Sequence, residues 1–175
     1  MERIWAPWRA GYILGQGDGT GQAGAGPESC IFCASVARGA AHAAEDLVLC
    51  VAEDAFAIMN RYPYTSGHVM VVPRAHVASP ADLPSGAHDA LYRLVTASTT
   101  ALRAALRPDG VNVGMNLGRV AGAGIPAHCH VHLVPRWSGD NNFMPVIAET
   151  RVISQDLRST YESLRPHFEP LATVR

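Results

Sequence analysis

Residues His128 to Trp137 read HCHVHLVPRW, with histidines at every second position and Cys129, Val131 and Leu133 between them. Along a β-strand, successive side chains point to opposite faces. His128, His130 and His132 then share one face, spaced roughly 6.6–7 Å apart. Cys129, Val131 and Leu133 share the other and can enter a core. A helix fits poorly, because positions i, i+2 and i+4 do not share one narrow stripe, and Pro135 closes the run. A single strand histidine is usually a satisfied polar group. Three in strict alternation point to a site.

A histidine can attack phosphorus. A neutral ring with one nitrogen tied up by a hydrogen bond leaves the other free as a nucleophile. His130, the central member, has an imidazole on either side to orient it or to bind phosphate oxygens. The preceding loop, NLGRVAGAGIPA from Asn116 to Ala127, supports that chemistry. Glycine lets backbone N–H groups approach an anion closely. Gly122 and Gly124 are the candidates for that approach, with Asn116 and Arg119 as side-chain donors. Fixed donors of this kind stabilise charge that develops on phosphate oxygens. Transfer in two steps through a phosphoramidate would let one site serve different acceptors.

A second constellation is CIFC, Cys30 to Cys33. One CxxC supplies two thiolates, half of a tetrahedral zinc site. No second CxxC exists, so histidines must complete it, and His76 and His128 are the candidates. The alternative is a reduced or redox-active pair. Cys50 and Cys129 read as buried small hydrophobes. A third constellation is NRYPYTSGHVMVVPRAH, Asn60 to His76. His68 reaches the histidine row if its strand is a neighbour. Asn60, just after a strand, could bond a ribose hydroxyl. His42, His88 and His167 have no such setting and read as surface residues.

These groups need elements to hold them. Cys30 to Gly39 reads as a short helix, and Leu47–Val51 with Phe56–Met59 as a hairpin. His68–Val72 is a third strand stopped by Pro73. Ser85 could cap a long helix to Arg107, with Ala87, Leu91, Leu94, Val95, Ser98, Leu102 and Ala105 on its apolar face. Val111–Met115 is a fourth strand and the histidine stretch a fifth. Ser154 could cap a last helix holding Leu157, Tyr161 and Leu164 and ended by Pro166. The sum is α+β, an antiparallel sheet of about five strands with packed helices.

The chain has 175 residues, which suits one domain, and 48% hydrophobic content, enough for a core. Its net charge of −1 gives no support for nucleic acid or a membrane surface as partner. Every cationic side chain is arginine. No apolar run approaches the ~20 residues of a transmembrane helix, and the start, MERIWAPWRAGYI, is not a signal peptide. A cytoplasmic setting suits a CxxC used for metal or redox chemistry. Residues 1–14 form an aromatic segment, whose Trp5, Trp8 and Tyr12 are expected to dock elsewhere. Residues 15–29 form a glycine-rich linker, 30–139 the main domain, and 140–175 an extension with a helix.

HCHVHLV, the upstream CIFC and the segment SGHVMVVPRAH together resemble the histidine-triad (HIT) family of nucleotidyl hydrolases and transferases. The resemblance covers roughly Cys30 to Gly139. It implies a HIT-like α+β fold, usually a homodimer, and an adenine nucleotide substrate. It implies that His130 takes up the nucleotidyl group, that His132 contacts the reacting phosphate, and that His68 completes a relay behind the nucleophile. It implies zinc on Cys30, Cys33, His76 and His128, and ribose at Asn60, where the family usually carries a carboxylate. The flanks RIWAPWRAGYI and RWSGDNNFMPVIAETRVIS look like the bacterial branch similar to diadenosine tetraphosphate phosphorylases. Those pass an adenylyl group from histidine to inorganic phosphate. The loop departs from the family in carrying Ile125 where a hydroxyl is common, so backbone or Arg119 stands in as donor.

Three rivals remain on the sequence. The nearest is a hydrolase of adenosine phosphoramidates or dinucleoside polyphosphates, which would use the same residues. Arg119, Arg136, Asn141 and Asn142 are the candidates for a phosphate pocket that would separate the two. A nucleotide-binding scaffold would not need a nucleophile. A single ion on His128, His130 and His132 lacks a further ligand nearby.

Overall fold

In the computed structural model, residues 26–140 and 155–174 are described. The expected aromatic start, most of the glycine-rich stretch, Ser154, Asn141 and Asn142 lie outside them. Pro27–Ser29 forms a 3-10 turn that leads into helix α1, Ile31–Ala37. A short helix α2, Ala43–Asp46, precedes strand β1, Val48–Val51. Strands β2, Ala55–Met59, and β3, Val69–Pro73, follow. Helix α3 is Ala87–Leu106, β4 is Gly110–Met115, β5 is Val131–Arg136, and α4 is Leu157–Phe168.

The five strands form one antiparallel sheet in the order β1-β2-β3-β5-β4. Alternation sorts its side chains onto two faces. Ala55, Ala57 and Met59 of β2, Val69 and Val71 of β3, and Val131 and Leu133 of β5 meet α3 and α4 in the main core. Phe56, Ile58, Met70 and Val72 turn the other way and pack with Cys30 and Phe32. The central partners of the site follow from register: Met70 pairs with His132, and His132 pairs with Gly114. The expected apolar face of α3 is buried at Ala87, Leu91, Leu94, Val95, Ser98 and Leu102, with Ala105 half-buried. No described helix is long and apolar enough to cross a membrane.

Several boundaries differ from the expectation. Pro73 and Pro135 lie within β3 and β5 instead of stopping them short. The N-cap of α4 is Asp156, whose carboxylate accepts from Arg158 N and Ser159 N, and not Ser154. The N-cap of α3 is Gly86, at φ +85°, and not Ser85; a left-handed turn that glycine adopts without strain replaces the side-chain cap. Pro166 lies inside α4 rather than ending it, because fully buried Phe168 ties the final turn to the core. The histidine strand begins at Val131, not His128. Cys129 donates its N–H to Val77 O at 2.7 Å, so His128 and Cys129 leave the ladder before the strand starts.

Candidate active site and metal centre

The sequence brings the three histidines to one side of the sheet even though only His132 is within a strand. Phe32, fully buried, lies with its ring centroid 5.5 Å from that of His128 and 5.0 Å from that of His130. The His130 and His132 rings follow at 4.7 Å. The row nevertheless serves two different groups of partners.

His128 belongs to the sulfur cluster. Its Nδ1 is 3.3 Å from Cys30 Sγ and 3.6 Å from Cys33 Sγ, and His76 Nδ1 is 3.4 Å from Cys33 Sγ. The four ligand atoms all lie within 4.8 Å of one another. A tetrahedral zinc with bonds near 2.3 Å to sulfur and 2.1 Å to nitrogen would set sulfur and nitrogen about 3.6 Å apart. His128 Nε2–H donates to Pro73 O at 2.8 Å, which leaves the Nδ1 lone pair facing the sulfurs. Burial, followed by the neighbouring Cys30, pushes the Cys33 thiol up to about 11. The Cys33 thiol therefore stays protonated without a cation, and a divalent ion bound there would displace its proton. The donor set, its spacing and the second-layer bond on His128 fit zinc. Among the described residues no other such group of histidines, cysteines and carboxylates occurs, so the three-histidine ion is not supported.

His130 is 3% exposed and its Nδ1 lies 3.0 Å from His128 O. A carbonyl can only accept, so Nδ1 carries the proton and Nε2 keeps its lone pair. Burial holds its pKa below the ordinary histidine value, opposed by the bond to the carbonyl. The ring is therefore neutral at neutral pH, as a nucleophile must be.

His132 and His68 form the next pair. His68 Nε2 and His132 Nδ1 are 2.9 Å apart. Tyr64 N–H donates to His68 Nδ1 at 3.1 Å, so the His68 proton sits on Nε2 and is given to His132 Nδ1. His132 then carries its own proton on Nε2. Burial, and then His132 and His130, hold His68 at about 3. Burial, and then His130, hold His132 at about 4. The structure thus sets His68 against His132, while a backbone carbonyl orients His130.

The expected nucleotide contacts are placed as follows. Asn60 is engaged in its own turn: Oδ1 accepts from Tyr62 N at 2.9 Å, and Nδ2 is 3.4 Å from His68 Nδ1. Asn116 Nδ2 donates to Gly122 O at 3.3 Å, closing the glycine loop. Gly122, at φ +91°, gives its N–H to Arg119 O at 3.0 Å inside that loop, and Gly124 lies beyond the turn. Arg119 sits on an exposed 3-10 turn, Arg119–Ala121. Arg136 is committed elsewhere, to Asp140 through Nε and Nη2 and to Asn112 through Nη1. That ion pair removes it as a ready phosphate anchor. Cys50 and Cys129 are buried, as expected of small apolar groups.

Two residues were not anticipated. Phe32 is flanked by the metal-centre cysteines, which place its ring on His130. Tyr64, four positions before His68, contacts both His68 and His132. Neither carries a spacing signal: Phe32 is the one buried residue of the short helix α1, and Tyr64 lies in the irregular segment between β2 and β3.

The HIT domain family model matches residues 42–139. The chain is 35% identical over 164 residues to the AP-4-A phosphorylase of Mycobacterium tuberculosis, covering 91% of this chain and 80% of that protein. An uncharacterised HIT-like protein of Saccharolobus solfataricus is 31% identical over 115 residues, 66% of this chain and 79% of that one. Among solved structures, a zinc-bound histidine triad family protein from Mycobacterium smegmatis superposes with a TM-score of 0.65 at 28% identity, covering 82% of this chain and 95% of that one.

Proposed function

The chain belongs to the HIT domain family, and on that premise we propose that it is a nucleotidyl transferase working through a covalent nucleotidyl-histidine, with diadenosine tetraphosphate as substrate and phosphate as acceptor. The observation that carries this is the hydrogen bond from His130 Nδ1 to His128 O, which leaves Nε2 unprotonated beside the other imidazoles. Similarity to an AP-4-A phosphorylase supports the choice of substrate and acceptor.

In the first step His130 Nε2 attacks the phosphorus next to one adenosine. An N–P bond forms, the P–O bond to the remaining chain breaks, and ATP leaves with that bonding pair. His132 Nε2–H is the donor for the leaving or equatorial oxygen, and His68 holds His132 in that tautomer. In the second step a phosphate oxygen attacks the same phosphorus. The N–P bond breaks, its electron pair returns to Nε2, and ADP leaves. Asn60, Asn116, Arg119 and the Gly122–Gly124 loop are assigned to ribose and phosphate on the sequence.

Cys30, Cys33, His76 and His128 would hold zinc. Zinc there would cross-link the α1 turn to the segment before β5, a structural task. Strand β4 is an edge with half-exposed Val113, which supports a homodimer built on that edge. A reducing cytoplasm would keep the thiols free for metal. Residues 30–139 are read as the catalytic unit.

The second reading is hydrolysis, in which water replaces phosphate in the second step; the same residues serve both. Incubation with diadenosine tetraphosphate, with and without inorganic phosphate, separates them by product. ADP plus ATP formed only with phosphate is the expected result. AMP plus ATP without phosphate would make the protein a hydrolase.

A further inference from the structure

The segment between β2 and β3, RYPYTSG from Arg61 to Gly67, is tied down at both ends. Asn60 Oδ1 accepts from Tyr62 N at 2.9 Å, and Thr65 Oγ1–H donates to Pro135 O at 2.8 Å. Thr65 O accepts from His68 N at 3.2 Å. Tyr64 is held between these anchors. Its N–H meets His68 Nδ1 at 3.1 Å. Its ring lies over His68 at 4.6 Å between centroids, tilted 36°, and over His132 at 5.9 Å, tilted 32°. The spacing is that of offset aromatic contacts. Tyr64 is 45% exposed while His68 is wholly buried, so the ring covers the imidazoles.

We infer that Tyr64 is the positioning residue of the His68–His132 relay: its N–H selects the His68 tautomer, and its ring keeps water off the hydrogen bond between the two imidazoles. This rests on reading the triad as a nucleotidyl-transfer site. The argument is one of donors and acceptors. A proton added at His68 Nδ1 would face the Tyr64 N–H, donor against donor. A His68 flipped to the other tautomer would lose the Tyr64 bond, and its bare Nε2 could only accept from His132 Nδ1. His132 would then be free to place its proton on Nδ1, and Nε2–H would be lost to the reacting phosphate. The groups facing the pair are His130, the Asn60 amide and the Tyr64 ring; the His68 shift arises from burial, then His132 and His130, and the His132 shift from burial, then His130, with no carboxylate or guanidinium contributing. Removing the ring admits water, which restores hydration to the charged imidazole.

The test uses the full chain with ¹⁵N-labelled histidine, as Tyr64→Ala, Tyr64→Leu and Tyr64→Phe. Histidine tautomers and titrations are read on the resting protein, and kcat and KM on diadenosine tetraphosphate. In Tyr64→Ala and Tyr64→Leu, His68 and His132 should titrate closer to the ordinary histidine value, while the His68 Nε2–H tautomer holds because every variant keeps the backbone N–H at position 64. Their kcat should fall by about tenfold or more with KM within about twofold, in the range of one mispositioned proton donor. Tyr64→Phe, which keeps ring and backbone, should restore both. Unchanged histidine titration in Tyr64→Leu would overturn the inference, as would a loss of kcat in which the histidines titrate as before. Tyr64→Leu keeps an apolar side chain, so the inference remains testable if Tyr64→Ala fails to fold. The titrations need no substrate: a protein that phosphorolyses nothing defeats the proposed function and leaves this result readable.

Discussion

His130 Nδ1 lies 3.0 Å from the carbonyl oxygen of His128, and that one hydrogen bond decides which nitrogen keeps its lone pair. The proton has one place to go, so the opposite nitrogen is always the free one. A nucleophile oriented by backbone needs no second side chain to assign its tautomer.

Replacing His130 with alanine should abolish turnover, by at least about 10³-fold, since both steps pass through its nitrogen. Intact-mass analysis of the substrate-treated wild type should show an added nucleotidyl group that His130→Ala lacks. Circular dichroism should be unchanged. Turnover retained in the variant would remove His130 from the nucleophile's role.

The purified protein should contain about one zinc per chain, the complement of one four-ligand site. Elemental analysis of a Cys30→Ser, Cys33→Ser double variant should find that zinc gone, and its thermal midpoint should drop. Freshly purified wild type without metal would refute the assignment of Cys30, Cys33, His76 and His128.

Stability should fall with acid earlier than carboxylates alone would cause. His68 and His132 are held at about 3 and about 4, both below the ordinary histidine value of 6.5. Between those limits the unfolded chain binds protons that the folded chain does not. The stability they contribute is complete above about pH 6.5 and is lost as pH falls toward 4 for His132 and toward 3 for His68. Buried His128 and His130 are shifted the same way. Urea midpoints measured from pH 8 to pH 4 should decline below about pH 6.5. A flat profile from 6.5 to 4.5 would mean that the imidazoles are protonated in the fold.

Gly67 precedes His68 at φ +76°, and a Cβ there would overlap Leu106 Cδ1 at the end of α3. Gly67→Ala should cost about 1–2 kcal/mol from the left-handed backbone alone. Because the strained peptide leads directly into His68, kcat should fall as well. Thermal denaturation and steady-state kinetics check the two parts, and a fully active, equally stable variant would show that the turn relaxes freely.

Much of this architecture is legible in the residues. The continuous apolar runs at Leu47–Val51, Phe56–Met59 and Val69–Val72 announce β1, β2 and β3 because both faces of these strands are buried. The apolar stripe of α3 marks the helix that covers them. CIFC with His76 and His128 is legible because metal ligands have a short menu. The start of the histidine strand is not legible, since Val77 O takes the Cys129 N–H and no local pattern records that partner. Phe168 overrides Pro166 in the same way, through a distant core. Tyr64 escapes notice because turn residues have no periodicity to read. Arg136 misleads for a plainer reason: its charge suggests phosphate until Asp140 is found beside it.

His128 divides three tasks among three atoms: Nδ1 faces the sulfurs, Nε2–H holds Pro73 O, and the carbonyl takes the His130 proton. Two of these belong to the side chain and one to the backbone. Substitution at position 128 can erase the first two but not the third, because every amino acid brings the same carbonyl. A lineage could therefore drift to an ion-free version of this centre while its nucleophile kept the same tautomer. The sulfur cluster and the His130 tautomer are thus heritable separately, although they meet in one residue.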